Sequence, residues 1–477
     1  MRKERDEEEQ KRKATPFKII GDRLYESVIF HGKPMFLLYD IDKTFSLIKE
    51  LTYEDEILVP VEQSVIPYNL PILDDEYLKT IQQKDYRIHV DEIWNLIYNQ
   101  VDTYSDLELR YKSIVTATIM ETYQQHKYYS TGYLFFQGDF GSGKSQVISL
   151  SGKLSYRTMN TAASNAANTY RFIGYDSEME AQQTICEDEI DYLKLTDDLE
   201  QKFRLYRTGY KRGTRVARMD DAGTSNAIQR YYMTFCVKFF AGRYLPKDEA
   251  FKSRCIEIPM VEGFPEIDEF TVEDSVKFSK IVMRATVWRM QTYFDSLPAI
   301  TNQLRGRTKE IWKSKILAVV GTTTEAKVPL QKECEDDVDI TPEQYLTNLA
   351  TDDVEKKFAE KHNRLEVYIL QNVYDLCNHM DWFNITFKNI WMRTLKDMGV
   401  NSYEIEDTDI QSIDVPILSF SVSKKRVSGI LYHMLRGTIS TVTNKSTGIG
   451  ERTWTFEKEV IERLARGYKI TPRQIEI

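Results

Sequence analysis

The sequence predicts an α/β protein built on a P-loop nucleotide-binding core, preceded by a β-rich and helical region and followed by a winged-helix domain. Three segments carry that prediction. Residues 133–153 run from Tyr-Leu-Phe-Phe-Gln through Gly-Asp-Phe-Gly-Ser-Gly-Lys-Ser into Gln-Val-Ile-Ser-Leu-Ser-Gly-Lys, which is strand, glycine loop and helix in turn. Residues 182–191 close a short apolar strand on adjacent acids. Residues 365–468 read as three helices, two strands and a closing helix.

In chain order, residues 1–14 alternate Lys/Arg with Glu and read as a solvated, partly helical tail. Between Phe17 and Leu73, short β-type runs (Leu24–Phe30, Met35–Tyr39, Ile57–Val61) are broken by Gly and Pro, so 1–75 is expected to hold a small β-rich module. Helical spacing of Ile93, Leu96, Ile97 and Val101 makes 76–130 a helical region. The nucleotide core is placed at 131–262 and a helical lid region at 263–330. Glu333 to Glu355 holds nine acidic residues and no Lys or Arg, so 331–359 is expected to be an acidic linker or a self-repelling helix edge. Beyond it, Leu418 to Lys469 holds ten Lys/Arg against four Glu, a net of +6, within a winged-helix domain at 360–477.

Gly138, Gly143, Lys144 and Ser145 stand at the GxxxxGK[ST] positions of a phosphate-binding loop. Glycines let successive backbone N–H groups turn inward on a phosphate, and the following helix presents its positive end to the same anion. The contact span is Gly138, Asp139, Phe140, Gly141, Ser142, Gly143, Lys144, Ser145 and Gln146, with ATP as ligand. Lys144 supplies a point charge and the Ser145 hydroxyl a ligand for Mg²⁺. Hydrolysis needs more: a carboxylate on the metal side and a group to orient water. In Cys-Glu-Asp-Glu-Ile-Asp (186–191), Asp188 is the candidate for the Mg²⁺ shell and Glu189 for the water. An exposed acidic turn is the bland alternative. Arg254, just before the last core strand, suits transition-state charge from a neighbouring subunit, since a guanidinium is permanently charged and forked. A strand-end salt bridge would explain it as well.

Lys202 to Arg218 holds seven basic residues and no acid. Lys211, Arg212 and Arg215, beside Gly209 and Gly213, are candidates to grip backbone phosphates of a single strand; a solvated or subunit-interface loop is the alternative. In the C-terminal region Ser423 is placed to cap a helix that opens Lys424-Lys425-Arg426, where a recognition helix meets duplex DNA. The glycine-rich tip 444–450 carries Lys445 as a wing. Such domains also serve protein contacts alone.

Composition narrows the classes. At 477 residues, 42% hydrophobic and 29% charged, the chain has room for several domains. No uncharged apolar run of membrane-spanning length occurs, and the first residues lack a signal-peptide core, so no membrane partner is expected. Five cysteines without a CxxC pair read as reduced thiols of a cytoplasmic protein. A net charge of −9 excludes a wholly basic binder. Six scattered histidines offer no metal centre beyond Mg²⁺.

The ordered series 138–145, 164–171 (Ser-Asn-Ala-Ala-Asn-Thr-Tyr-Arg), 186–191, 208–218 (Thr-Gly-Tyr-Lys-Arg-Gly-Thr-Arg-Val-Ala-Arg), 251–260 (Phe-Lys-Ser-Arg-Cys-Ile-Glu-Ile-Pro-Met) and 306–312 (Gly-Arg-Thr-Lys-Glu-Ile-Trp) resembles the helicase-like AAA+ ATPases of plasmids, phages and other mobile elements. More distantly it resembles superfamily 3 and minichromosome-maintenance replicative helicases, over roughly residues 90–320. The resemblance implies a ring, most often a hexamer, with Arg254 acting in trans and basic pore loops on DNA. The activity implied is that of a DNA-dependent ATPase, a replicative helicase or initiator. The alternative is a DNA-binding ATP switch, such as a loader, partitioning or defence ATPase, that remodels partners without unwinding. No primase or polymerase module fits in the first 130 residues, so priming is expected of a separate partner. In these families a small polar sensor ends the fourth strand; here that position falls in Ala241-Gly242-Arg243, a departure.

Overall fold

In a computed structural model of the protein, the described residues are 12–161, 165–174, 183–190, 197–220, 228–246, 248–300, 304–326, 340–362, 365–379, 382, 385–400, 412–415, 420–443 and 450–474. The chain divides into two compact units, Met1–Thr351 and Asp352–Ile477.

The first unit opens with strands β1 (Arg12–Thr15), β2 (Phe17–Ile20), β3 (Arg23–Phe30), β4 (Lys33–Tyr39), β5 (Phe45–Ile48), β6 (Leu51–Tyr53), β7 (Glu56–Pro60) and β8 (Ile72–Leu73). β2 to β5 form an antiparallel sheet that β8 joins through β3, and β1, β7 and β6 form a second, smaller sheet. The two-residue β3–β4 turn, His31-Gly32, has φ of 51° and 73°, the geometry whose twist matches that of the flanking strands. Helices α1 (Asp75–Ile81), α2 (Val90–Tyr104) and α3 (Leu109–Gln124) follow. Asp74 caps α1 by accepting from the Tyr77 N–H, and α3 is buried along most of its length.

The core alternates strands with helices: β9 (Tyr133–Gln137), α4 (Lys144–Leu154), β10 (Thr158–Thr161), α5 (Ala166–Ile173), β11 (Thr184–Glu187) and α6 (Asp197–Thr208). Then come β12 (Arg215–Asp220), β13 (Ile228–Met233), β14 (Val237–Gly242), α7 (Glu249–Lys252) and β15 (Cys255–Pro259). Five of these strands make an all-parallel sheet in the order β10-β11-β14-β9-β15. Tyr133 to Phe136 of β9 and the whole of β14 are buried, as expected of strands covered on both faces; β9 reads as an apolar run, and β14 is interrupted by Lys238, which is fully buried and donates to the Gly209, Thr234 and Cys236 carbonyls. The chain leaves β9 toward β10 on one side and reaches β15 on the other. A crevice therefore opens at the carboxyl end of β9, the place where open parallel sheets bind ligands. Helices α8 (Val272–Thr292) and α9 (Gly306–Ala318) complete the unit, α8 starting in a full Thr271–Asp274 capping box. A buried pair, Lys315 Nζ to Glu121 Oε2 at 2.9 Å, ties α9 to α3.

A helix α10 (Pro342–His362) runs through the described part of the acidic stretch. The second unit contains α11 (Leu365–His379), β16 (Ile385–Thr386), α12 (Phe387–Asp397), β17 (Ser412–Val415), β18 (Phe420–Ser423), α13 (Lys424–His433), β19 (Thr438–Thr443), β20 (Gly450–Thr455) and α14 (Lys458–Gly467). β16, β20 and β19 form one antiparallel sheet, and β17 and β18 a hairpin. Its core includes Leu370, Trp391, Val427, Leu431, Trp454 and Ile461. Arg473 clamps Asp375 and Asp397, each at 2.7 Å, and so holds the last described residues against α11 and α12.

Candidate functional site

The glycine loop joins β9 to α4 at the carboxyl edge of the sheet. Gly141 and Gly143 both have φ of 79°, a conformation that costs a residue with Cβ, while the Gly138 and Ser142 N–H groups donate to the Gly242 and Asp139 carbonyls. At Gly138 the limit is space: a Cβ there would lie 2.3 Å from the Met260 carbonyl oxygen and 2.5 Å from Ser142 Oγ. Lys144 Nζ donates to the Asp139 carbonyl at 2.6 Å and to Ser142 Oγ at 3.2 Å, so it already faces the inside of the loop. Gln146 Nε2 donates to the Tyr104 and Ile267 carbonyls, anchoring α4 to the segments on either side. Phe140 is 84% exposed.

Ser145 and Asp188 line one open cleft with Asn160, Thr161 and Cys186. Strand alternation explains this arrangement: Cys186 and Asp188 face the cleft, whereas Glu187 turns into the opposite layer. There it is buried, paired with Lys202 and accepting from the Tyr206 hydroxyl. Asp188 Oδ1 accepts from the Glu189 N–H at 2.8 Å. Glu189 is exposed and has φ of 54°, a strained conformation in a non-glycine residue of a kind that clusters at functional sites. Hard oxygen donors at Ser145 and Asp188 suit a divalent cation, and the cradle left by Gly138, Gly141 and Gly143 suits a phosphate. A second cavity, of about 270 Å³, adjoins the loop and is lined by Tyr104, Asp106, Gly143, Gln146, Met260 and Val261.

Arg243, at the end of β14, reaches the same loop. Its Nε lies 2.7 Å from Asp139 Oδ1, and its guanidinium lies 5.4 Å from the Phe140 ring centre. The position that departs from the resembled pattern is thus occupied by a cation touching the glycine loop.

Arg254 lies at the other end of the sheet. Its carbonyl accepts from the Tyr133 N–H, level with the start of β9. Five strand residues at about 3.3 Å each put the glycine loop roughly 16 Å away, too far for the side chain to reach its own loop. The Tyr210 ring has the Arg254 guanidinium 4.5 Å and the Arg307 guanidinium 4.6 Å from its centre. Glu310 pairs with both Arg307 and Lys211. Burial, and then the charge of Arg307, lower the Arg254 pKa. Burial pushes the Tyr210 phenol up, but the hydrogen bond and charge of Arg307 outweigh it and the net shift is downward. Glu310 is shared by Lys211 and Arg307, and Asp248, which pairs with Arg207, also acts on Arg254; four cations against two carboxylates leave the cluster positively charged.

Within the basic stretch the turn beside Gly209 and Gly213 is short, spanning residues 209–214 with Gly213 at φ of 87°, and regular elements lie on either side of it. Residues 197–208 form α6, and Arg215–Asp220 pairs with Ile228–Met233 as a hairpin in which Arg215 faces Met233 and Ala217 faces Tyr231. Arg215, Met219 and Tyr231 are exposed on it, Tyr231 at 63%. Lys211 instead joins Glu310. The Arg212 guanidinium donates to the Tyr128, Gln125 and His126 carbonyls, which makes it an anchor for the turn before β9. In the second unit Ser423 caps α13 by accepting from the Arg426 N–H at 3.2 Å. Lys425 and Arg426 are exposed, and Lys424 is half-buried near Trp391. Lys445 lies outside the described residues.

Sequence reasoning missed four participants: Glu187, Tyr210, Arg307 and the hairpin. Ile228, Tyr231 and Tyr232 in the second strand, residue types that favour strands, were a faint readable signal for the hairpin. The other three depend on side chains brought together from distant segments.

No helix among the described residues is long and apolar enough to cross a membrane. No family model matches the chain, and no curated protein matches it. Among solved structures it is similar to the apo C-terminal region of NrS-1, at 12% identity and TM-score 0.35, covering 91% of this chain and 96% of that one. It is also similar to the SCCmec type IV Cch active helicase, at 9% identity and TM-score 0.30, covering 94% of this chain and 99% of that one. A third similarity is to the Aeropyrum pernix Orc1 protein in complex with DNA, at 11% identity and TM-score 0.20, covering 78% of this chain and 96% of that one. Scores this low bear on neither activity nor partner; what this chain's own residues establish is a mixed α/β protein with a glycine-loop cleft at the carboxyl edge of a parallel sheet.

Proposed function

We propose that the protein is a Mg²⁺-ATP-dependent DNA motor of the AAA+ type that works as a ring, as a replicative helicase or replication initiator. One observation supports this above the rest: Ser145 and Asp188 line a single cleft beside the glycine loop, while Arg254 lies on a cationic patch at the far end of the same sheet. In this reading the site is complete only between two subunits, and head-to-tail contacts of that kind form a ring when the rotation between subunits closes.

In the proposed site, Lys144 exchanges the Asp139 carbonyl and Ser142 Oγ for phosphate oxygens. Ser145 and Asp188 hold Mg²⁺, which when bound neutralises charge developing on the phosphates. Glu189 orients the attacking water and accepts its proton. The cavity lined by Tyr104 and Met260 receives the base end of the nucleotide. Arg254 of one subunit, flanked by Arg307, stabilises transition-state charge in its neighbour.

For the nucleic acid, the hairpin offers Arg215 to backbone phosphate and Tyr231 to a base face, the combination that binds single strands without reading sequence. The second unit is read as a winged helix, with Lys424, Lys425 and Arg426 at the head of its recognition helix and Lys445 on the wing. Strand displacement from a forked duplex tests the whole reading. ATP-dependent release by the wild type and none by Lys144→Ala is expected. ATP hydrolysis without any release would favour a switch that remodels partners.

A further inference from the structure

After β15 the chain passes the glycine loop before and as it enters α8, with Val261, Gly263, Pro265 and Asp268 lining the same cavity as Gly141 and Gly143. This strap, residues 261–276, holds six acidic residues and no Lys or Arg. Its backbone is tied down. The Phe264 N–H donates to Asp106 Oδ2 at 2.9 Å and the Ile267 N–H to the Thr103 carbonyl at 3.1 Å, while the Ile267 carbonyl accepts from Gln146 Nε2 at 3.0 Å. A Cβ at Gly263 would lie 2.7 Å from Asp106 Oδ2, so the strap runs close against the residues that follow α2. Yet three of its apolar side chains stand in water, Val261 at 80%, Phe264 at 90% and Val272 at 80% exposed. A backbone fixed by hydrogen bonds that holds large apolar side chains outward has the character of a contact surface.

Charge indicates the partner. Lys153 and Lys277 reach the strap's second half, over the Phe270 ring and the Tyr104 ring beside it, so six carboxylates face two cations. At the other end of β15 the balance is reversed. Arg207, Lys211, Arg254 and Arg307 stand against Asp248 and Glu310. Arg305 and Lys309 add two exposed cations at the head of α9, and exposed Lys252 balances exposed Glu249. Five residues of strand separate the two surfaces by roughly 16 Å, and the strap is anchored, so a chain does not bring its own strap to its own cationic end.

We propose that the strap is the docking surface for the cationic end of a second copy of this chain, with Val261 and Phe264 as its apolar centre. The inference rests on the shared ATP site proposed above and names the surfaces that would assemble it. A contact between two unlike surfaces is head-to-tail, as a shared site requires. It would deliver the Arg254 end of one copy to the border of its neighbour's glycine loop. Opposite charge steers the approach, and covering Phe264 removes apolar surface from water.

Sedimentation velocity of the full chain, with and without Mg²⁺-ATP, reads the association. The wild type is expected to self-associate, and less so as salt rises. Val261→Ser with Phe264→Ser should weaken association at least tenfold, with Tm unchanged at dilutions where the wild type is also monomeric. Glu262→Lys with Glu266→Lys should do the same, and so should Arg305→Glu with Lys309→Glu. One chain carrying all four charge reversals should associate again. An equimolar mixture of the two reversed chains should also associate, because each surface then meets its opposite charge. A wild type that stays monomeric would overturn both this surface and the shared site. Association unchanged by the strap variants, or not regained when the reversals are combined, would overturn the surface alone.

Discussion

Replacing Arg254 by alanine should abolish turnover while leaving nucleotide binding nearly unchanged, because Arg254 stands too far from its own glycine loop to touch what binds there. Arginine fingers contribute about 10³–10⁵ in kcat, so a loss of at least about 10³ is expected. A second inactive variant, Glu189→Gln, keeps Arg254 but lacks the group that handles water. Mixing the two in equal amounts from dissociated subunits gives a sharp number. An interface works when its loop half comes from the Arg254→Ala chain and its finger half from the Glu189→Gln chain. Random assembly into a head-to-tail ring makes about one interface in four of that kind, so about a quarter of wild-type turnover should return. Steady-state phosphate release, titrated across mixing ratios and peaking at equal amounts, is the assay. Turnover that never exceeds the sum of the two variants alone would refute a site shared between subunits.

Other expected outcomes are more local. Lys144→Ala should lose ATP affinity and turnover together, with Tm nearly unchanged, since the Lys144 ammonium donates to the Asp139 carbonyl and Ser142 Oγ of its own loop. Lys202→Met should cost about 3–5 kcal/mol in denaturant unfolding, because it leaves the Glu187 carboxylate buried and unpaired; a change under 1 kcal/mol would show that Tyr206 alone satisfies it. Arg215→Ala should lower single-strand affinity and reduce the salt slope by roughly one, while Tyr231→Ala should cost about 1–3 kcal/mol of binding; normal affinity in both would move the strand elsewhere. Lys425→Ala with Arg426→Ala should weaken duplex binding in fluorescence anisotropy and flatten its salt dependence. Unchanged binding there would assign the second unit to protein contacts.

What the sequence disclosed was local pattern. The glycine spacing at 138–145, the apolar run of β9, and Ser423 ahead of Lys424 each encode an element within a few residues, and each lies where the pattern put it. The acidic pair at 188–189 was legible because the strand before it is short and its end must face the sheet's carboxyl edge. Arg212 was not legible: seven basic residues in a row of seventeen look alike until three carbonyls from a distant turn converge on one of them. Arg307 lies 53 positions beyond Arg254, and only the packing of α9 against the start of β9 places both guanidiniums at Tyr210. The exposed face of the hairpin was obscured by the charge of the stretch that leads into it, which drew attention to Gly209 and Gly213 just before the first strand. Glu26 and Arg157, 131 positions apart, meet across the module boundary, and no local pattern in either segment marks the other.

The central claim, a nucleotide-driven motor acting on DNA, is tested most directly by steady-state ATP hydrolysis with and without single- and double-stranded DNA, using Lys144→Ala as the blank. Mg²⁺-dependent hydrolysis, stimulated several-fold by single-stranded DNA and absent in the blank, is the expected result. Hydrolysis that persists in Lys144→Ala would contradict the site, and hydrolysis indifferent to DNA would contradict the motor.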